Sequence, residues 1–368
     1  MAQPHSVKMP TEIESEANHS SVPRLEAQAT ASSPKGQRIP ALDFTKGALV
    51  LTMVLYHWMN YFTNLTWTHY RYLHFLTPSF IFITGFMISN VYLSKYTAAD
   101  PRLSKRLFTR GLKLFAIFMV LNLARTFVVP RLGTGVLARN ALAPRSIFTV
   151  FVSGNLPVSG AKLVVFSILV PISYLLMLSA VLMLPYRLYR YTFHVVCALL
   201  LLSVLILGLT GAQSYNLEFV TIGLLGVLTG FMPIAAINDF VRHPYALAFA
   251  YLCYTIAITI WSVPFPLLLV GVSLSLMVIY LVGASGSESS RLRGEAILLG
   301  KYSLLGYISQ IVILQILSAS FRHLNLGIVT LGISFLAAFA LTIMSVEFVD
   351  RARARTASID RLYRIVFS

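Results

Sequence analysis

Residues 38–57 read RIPALDFTKGALVLTMVLYH, an apolar run that carries Asp43, Lys46 and His57 inside it. About twenty apolar residues suffice to cross a bilayer, yet a charged side chain deep in the membrane costs about 2.5–3.5 kcal/mol. Asp43 and Lys46 are three residues apart, hence neighbours on one helix face, and they pair near one end of the span. Lys46 and His57 are separated by about three helical turns, so they share that face about 16 Å apart along the axis. Gly47 and Val50 lie on the same stripe and leave room for a close approach. The helix thus offers a cation at one end and a titratable imidazole toward the other, with a ligand able to lie along it. A snorkelling interfacial pair and a histidine bonded to a neighbouring helix are the structural alternatives.

The same apolar character extends along almost the whole 368-residue chain, which is 57% hydrophobic and only 11% charged. This is the signature of an all-α, polytopic membrane protein. Lys and Arg number 29 against 13 acids, a net charge of +16. In a soluble protein that excess would point to nucleic acid. Here the basic residues sit in short loops beside the spans, where they set orientation and meet anionic headgroups, so the partner is the lipid bilayer. Cys197 and Cys253 both fall in apolar segments, which leaves neither a disulfide framework nor a zinc cluster, and no metal site is expected. Residues 1–37 are Ser-, Glu- and Ala-rich and read as a disordered cytoplasmic tail. A membrane domain over 38–350 and a basic cytoplasmic tail over 351–368 complete the division.

The apolar windows predict ten spans, near 41–62, 72–94, 107–130, 161–184, 190–210, 215–237, 243–263, 264–284, 298–321 and 326–349. Around Pro264 and Pro266 two spans are separated by almost nothing, and a re-entrant helix pair fits there as well. Basic residues such as Lys95, Arg187, Arg190, Arg242 and Arg351 then share one side with the termini, which places both termini in the cytoplasm. The loop between the third and fourth spans, with Arg131, Arg139, Arg145 and Lys162, resists that rule; it is either a weakly constrained long loop or an electropositive surface for an anionic acceptor. Small residues in the spans permit helix association and a homo-oligomer. No internal repeat marks the two halves of a transporter.

Four stretches in order resemble the transmembrane acyltransferase superfamily, which takes in acyltransferase-3 proteins, OpgC-like glucan succinyltransferases and heparan-glucosaminide N-acetyltransferase relatives. The first supplies Arg38, Leu42-Asp43, Lys46-Gly47 and His57. The second, FLTPSFIFITGFMIS (75–89), holds the pair Gly85-Phe86, and the third, PRLSKRLFTRGLKLF (101–115), is a basic loop leading into a helix. The fourth, LGKYSLLGYISQIVILQIL (299–317), has Gln310 where relatives often carry a histidine. The resemblance implies a multi-pass enzyme of the inner (plasma) membrane. Such an enzyme carries an acyl group from cytosolic acyl-CoA, commonly acetyl-CoA, to a glycan or small polar acceptor on the far side. His57 is then the general base, for which an ordinary pKa near 6.5 is suited, Lys46 organises the donor or the helix, and Asp43 holds Lys46. Arg102, Lys105, Arg106, Arg110 and Lys113 suit the donor phosphates by charge and geometry. Asn60, Tyr61, His69 and Arg125 fall on the acceptor side, with His69 and His74 as rival bases and Asn60, Tyr61, Ser303 and Tyr307 as oxyanion donors by type. The competing expectations are a proton-coupled secondary transporter or flippase that uses Asp43, Lys46 and His57 as a relay, and a scaffold that binds headgroups only.

Overall fold

The computed structural model describes residues 39–63, 70–93, 101–128, 149–154, 166–261, 263–286, 290–321 and 327–367. The 1–37 segment, His69, and the basic loop with Arg131, Arg139, Arg145 and Lys162 lie outside the described residues. Every regular element among the described residues is a helix. In chain order these are α1 (Pro40–Phe62), α2 (Leu76–Met87, between a 3-10 turn at Arg71–Leu73 and a π turn at Ile88–Leu93), α3 (Pro101–Val128), α4 (Leu169–Tyr186), α5 (Thr192–Leu209) and α6 (Tyr215–Thr229). There follow α7 (Ile234–Val241), α8 (Pro244–Ile260), α9 (Phe265–Ser285), α10 (Arg291–Lys301), α11 (Ser303–Phe321), α12 (Ile328–Arg355) and α13 (Ala357–Phe367).

Each of the ten expected spans overlaps a helix among the described residues. Among the described residues, seven helices are long and apolar enough to cross a membrane, and eight if the bent pair α6–α7 counts as one span. Polar Asp43, Lys46 and His57 dilute α1, and α8, at 17 residues, is short. Two spans read as continuous are broken. The 215–237 helix bends by 100° between α6 and α7, because Pro233 cannot donate to the helical ladder and stands just before α7. The 298–321 helix breaks at Tyr302, which yields a short α10 before α11. The helices around α5 and α8 turn large side chains such as Leu199, Leu202, Phe249 and Leu252 outward, as a lipid-facing surface requires.

α1 is the axis of the bundle, with Leu49, Val50 and Val54 fully buried. Without a hydrophobic drive between helices in lipid, close approach depends on small residues. A Cβ at Gly47 would overlap the carbonyl oxygen of Ala296, and one at Gly300 would overlap that of Asp43. What approaches the Gly47 stripe is therefore the backbone of α10. α11 runs parallel to α1: Gly306 packs on Val50, and Gln315 Nε2 donates to Tyr61 Oη at 3.3 Å. α12 runs the other way, with Trp58 Nε1 donating to Ser334 Oγ at 3.0 Å and Val346 packed beside Val50.

Candidate active site

Pro40 starts α1 and the carbonyl of Ile39 accepts from the first turn, which places Asp43 near the helix N-terminus, where a carboxylate is favoured. Its Oδ1 holds Lys46 Nζ at 2.5 Å, and both side chains are largely buried. On its other side Lys46 lines a cavity of about 360 Å³. Arg110 and Lys113 enter it from α3 and Lys301 from the end of α10, so that among the described residues four cations and no acid line the wall. Apolar side chains such as Phe80, Ile83 and Leu114 share the lining with Ser303 and Tyr307. Arg110 has no carboxylate partner among the described residues; its guanidinium lies 5.1 Å from the centre of the Tyr92 ring. A planar fork held in this way offers two parallel donors to a phosphate.

The α3 cluster is thus divided. Arg110 and Lys113 line the cavity, whereas Arg102, Lys105 and Arg106 are exposed on the first turns of the helix. The split follows from helical period: Leu103 and Leu107 are buried and Ser104 Oγ donates to the carbonyl of Ala180 on α4 at 2.7 Å, which leaves Arg102, Lys105 and Arg106 on the exposed face of the same turns.

At the other end of the stripe, His57 Nε2 is shut off from solvent. The imidazole packs edge-on to Tyr56 at 5.2 Å between ring centres and tilted against Tyr307 at 6.3 Å. Tyr307 therefore belongs to two environments, the wall of the basic cavity and the packing shell of His57. One aromatic ring separates the Lys46 cavity from the imidazole.

The acceptor-side residues are dispersed. Asn60 Nδ2 donates to the carbonyl of Tyr56 on its own helix at 3.0 Å, and Tyr61 Oη accepts from Gln315. Arg125 stands on the last turn of α3, with its side chain outside the described residues. His74 lies apart from His57, in a second cavity of about 470 Å³ shared with Arg71, Gln213, Glu218 and Trp261.

Lys301 and the C-terminal helix are the features that sequence reasoning missed. Residues 357–367, within the stretch read as a tail, form α13, and Val366 and Phe367 line the basic cavity. Its attachment is ionic and aromatic. Arg353 Nη2 meets Asp360 Oδ1 at 2.6 Å, Arg364 pairs with the same carboxylate, and the Tyr363 ring packs on Tyr302 at 5.4 Å. Tyr302 Oη donates to Asp350 at 2.6 Å, and Asp350 also holds Lys301 at 2.9 Å. The alternation Ile359, Leu362, Tyr363, Val366 was the signal in the sequence, an amphipathic period inside a run judged by charge alone.

Hydrogen bonds from Arg353 and Arg364 hold the Asp360 carboxyl below its ordinary value of 3.8. A depressed acid contributes stability that is present above its unfolded pKa and lost as pH falls through the folded one. Docking of α13 is therefore expected to be complete at neutral pH and to loosen only below pH 3.8. A spin label at position 367 that gains mobility near pH 6 would contradict this.

Residues 38–137 match the family model for heparan-alpha-glucosaminide N-acetyltransferase, catalytic. Neither the curated proteins nor the solved structures contain a match to the chain. The matched stretch includes α1 with Asp43, Lys46 and His57, as well as Arg110 and Lys113 of the basic cavity. Over these hundred residues of an all-α, multi-pass membrane protein, the resemblance to the transmembrane acetyltransferases of the heparan-glucosaminide type is therefore borne out.

Proposed function

We propose that the protein transfers an acyl group, acetyl in the first instance, from cytosolic acyl-CoA to a hydroxyl or amine of a glycan or small polar acceptor across the plasma membrane. The observation that carries the reading is the double position of Tyr307, in the wall of a four-cation cavity and against His57. The Lys46 end faces the cytoplasm, as the excess of positive charge beside it favours. Arg110, Lys113 and Lys301 take the donor's phosphates, and the thioester arm extends past Tyr307. His57 accepts the proton of the attacking group and returns it to the departing thiolate. Asp43 orients Lys46.

Purified protein in liposomes, given radiolabelled acetyl-CoA with membrane glycans, is expected to label the glycan. Absence of both CoA binding and transfer would sink the proposal, and proton-coupled uptake would then be the assay to run. Arg110→Ala removes a charge-assisted contact of about 1.5 kcal/mol, so the Kd for acetyl-CoA is expected to rise about tenfold. The same change at exposed Arg102 is expected to leave Kd near the wild-type value.

A further inference from the structure

We propose that Gln310 is a catalytic residue whose side-chain amide donates to the carbonyl oxygen of the acyl group as it is transferred beside His57. The inference rests on the acyl-transfer reading above. Gln310 is 0% exposed, and neither its Oε1 nor its Nε2 has a hydrogen-bond partner among the described residues. An unpaired buried polar group costs about 1–3 kcal/mol. The other buried groups in that condition include Ser79, Ser179, Ser275 and Tyr254, hydroxyls with one rotatable donor each. An amide presents two fixed N–H groups and a carbonyl, so its unmet demand is the largest of the set. A helix with no use for that amide would be more stable with methionine or leucine in its place.

Position says what the amide serves. Gly306 against Val50 and Gln315 bonded to Tyr61 set the register of α11 on α1. That register puts Gln310 level with the stretch of α1 that carries Val54 and leads into His57. It also lies three residues beyond Tyr307 on the same buried face, with Leu314 continuing the row. An acyl group that has passed Tyr307 to reach His57 is then within one helical turn of Gln310.

In the transfer, the acceptor's oxygen or nitrogen bonds to the acyl carbon, its proton moves to His57, and the carbonyl pair shifts onto oxygen. Collapse of this intermediate restores the carbonyl and breaks the C–S bond, and the CoA thiolate takes the proton back from His57. Negative charge appears on the carbonyl oxygen only between the two steps, which is where a preorganised N–H donor lowers the barrier.

Gln310→Met keeps the length of the side chain and removes both polar atoms. The expected result is a Tm at or above that of the wild type, an unchanged Kd for acetyl-CoA, and a kcat lowered about a hundredfold, the loss typical of one oxyanion donor. Gln310→Leu likewise removes both N–H groups, and it is expected to be as impaired as the methionine variant. Wild-type kcat in Gln310→Met, a lowered Tm in that variant, or wild-type kcat in Gln310→Leu overturns the donor role. If the wild-type protein itself binds no acetyl-CoA and transfers nothing, the failure belongs to the underlying reading instead.

Discussion

His57→Ala is expected to lower acyl transfer by about 10²- to 10⁴-fold, the range for a positioned general base, while acetyl-CoA binding stays intact. The split arises because the imidazole is outside the basic cavity, behind the Tyr307 ring, whereas every cation that would hold the donor is inside it. Equilibrium binding of labelled acetyl-CoA and single-turnover transfer, measured on one preparation, separate the two effects. A variant that keeps full transfer would move the base to His74, whose cavity is open to the same substitution. A variant that loses donor binding as well would mean that His57 supports the bundle rather than the chemistry.

The second large effect is on folding. In Gly47→Val the new methyl groups meet the backbone of α10 at Ala296, which has no rotamer to escape into. Overpacking of this kind costs about 3 kcal/mol, a large share of the stability of any domain. The variant is expected to aggregate or to lose its thermal transition in detergent, and to lose donor binding with it, since Lys46 is the preceding residue. Gly294 on the same α10 helix provides the control, because a Cβ there meets nothing within 4 Å. Gly294→Ala should be neutral, or stabilising by up to about 1 kcal/mol through helix propensity. Equal destabilisation of both variants would refute the contact argument.

These contrasts show which parts of the molecule were legible in the sequence. The all-α, multi-span character followed from the apolar windows because the bilayer imposes a length that hydrophobicity reports directly, and seven or eight of the described helices meet it. The Asp43–Lys46 pair followed from three-residue spacing, and the structure has it. The breaks at Gly230–Pro233 and Tyr302 were less visible, since a window average does not notice where the backbone ladder stops. The division of the α3 cluster was hidden for a different reason: charge says that a residue binds anions, but only the partner helices say which side of α3 is enclosed. Lys301 lies more than two hundred residues from Lys46 in the chain and reaches the same cavity because Gly47 and Gly300 let two backbones touch. The glycine beside Lys46 reads as space for a ligand, yet it is occupied by protein.

The last helix carries a practical consequence for anyone who handles the protein. Its last turn places Val366 and Phe367 in the cavity wall, so a bulky group attached to this turn is carried on the cavity's own lining. A label attached there stands beside the four cations, and acidic groups on it would compete for Arg110 and Lys301. Protein labelled at position 367 is expected to bind acetyl-CoA more weakly than protein labelled at exposed Arg361 of the same helix. Chemistry attached to α13 therefore acts directly on the donor cavity.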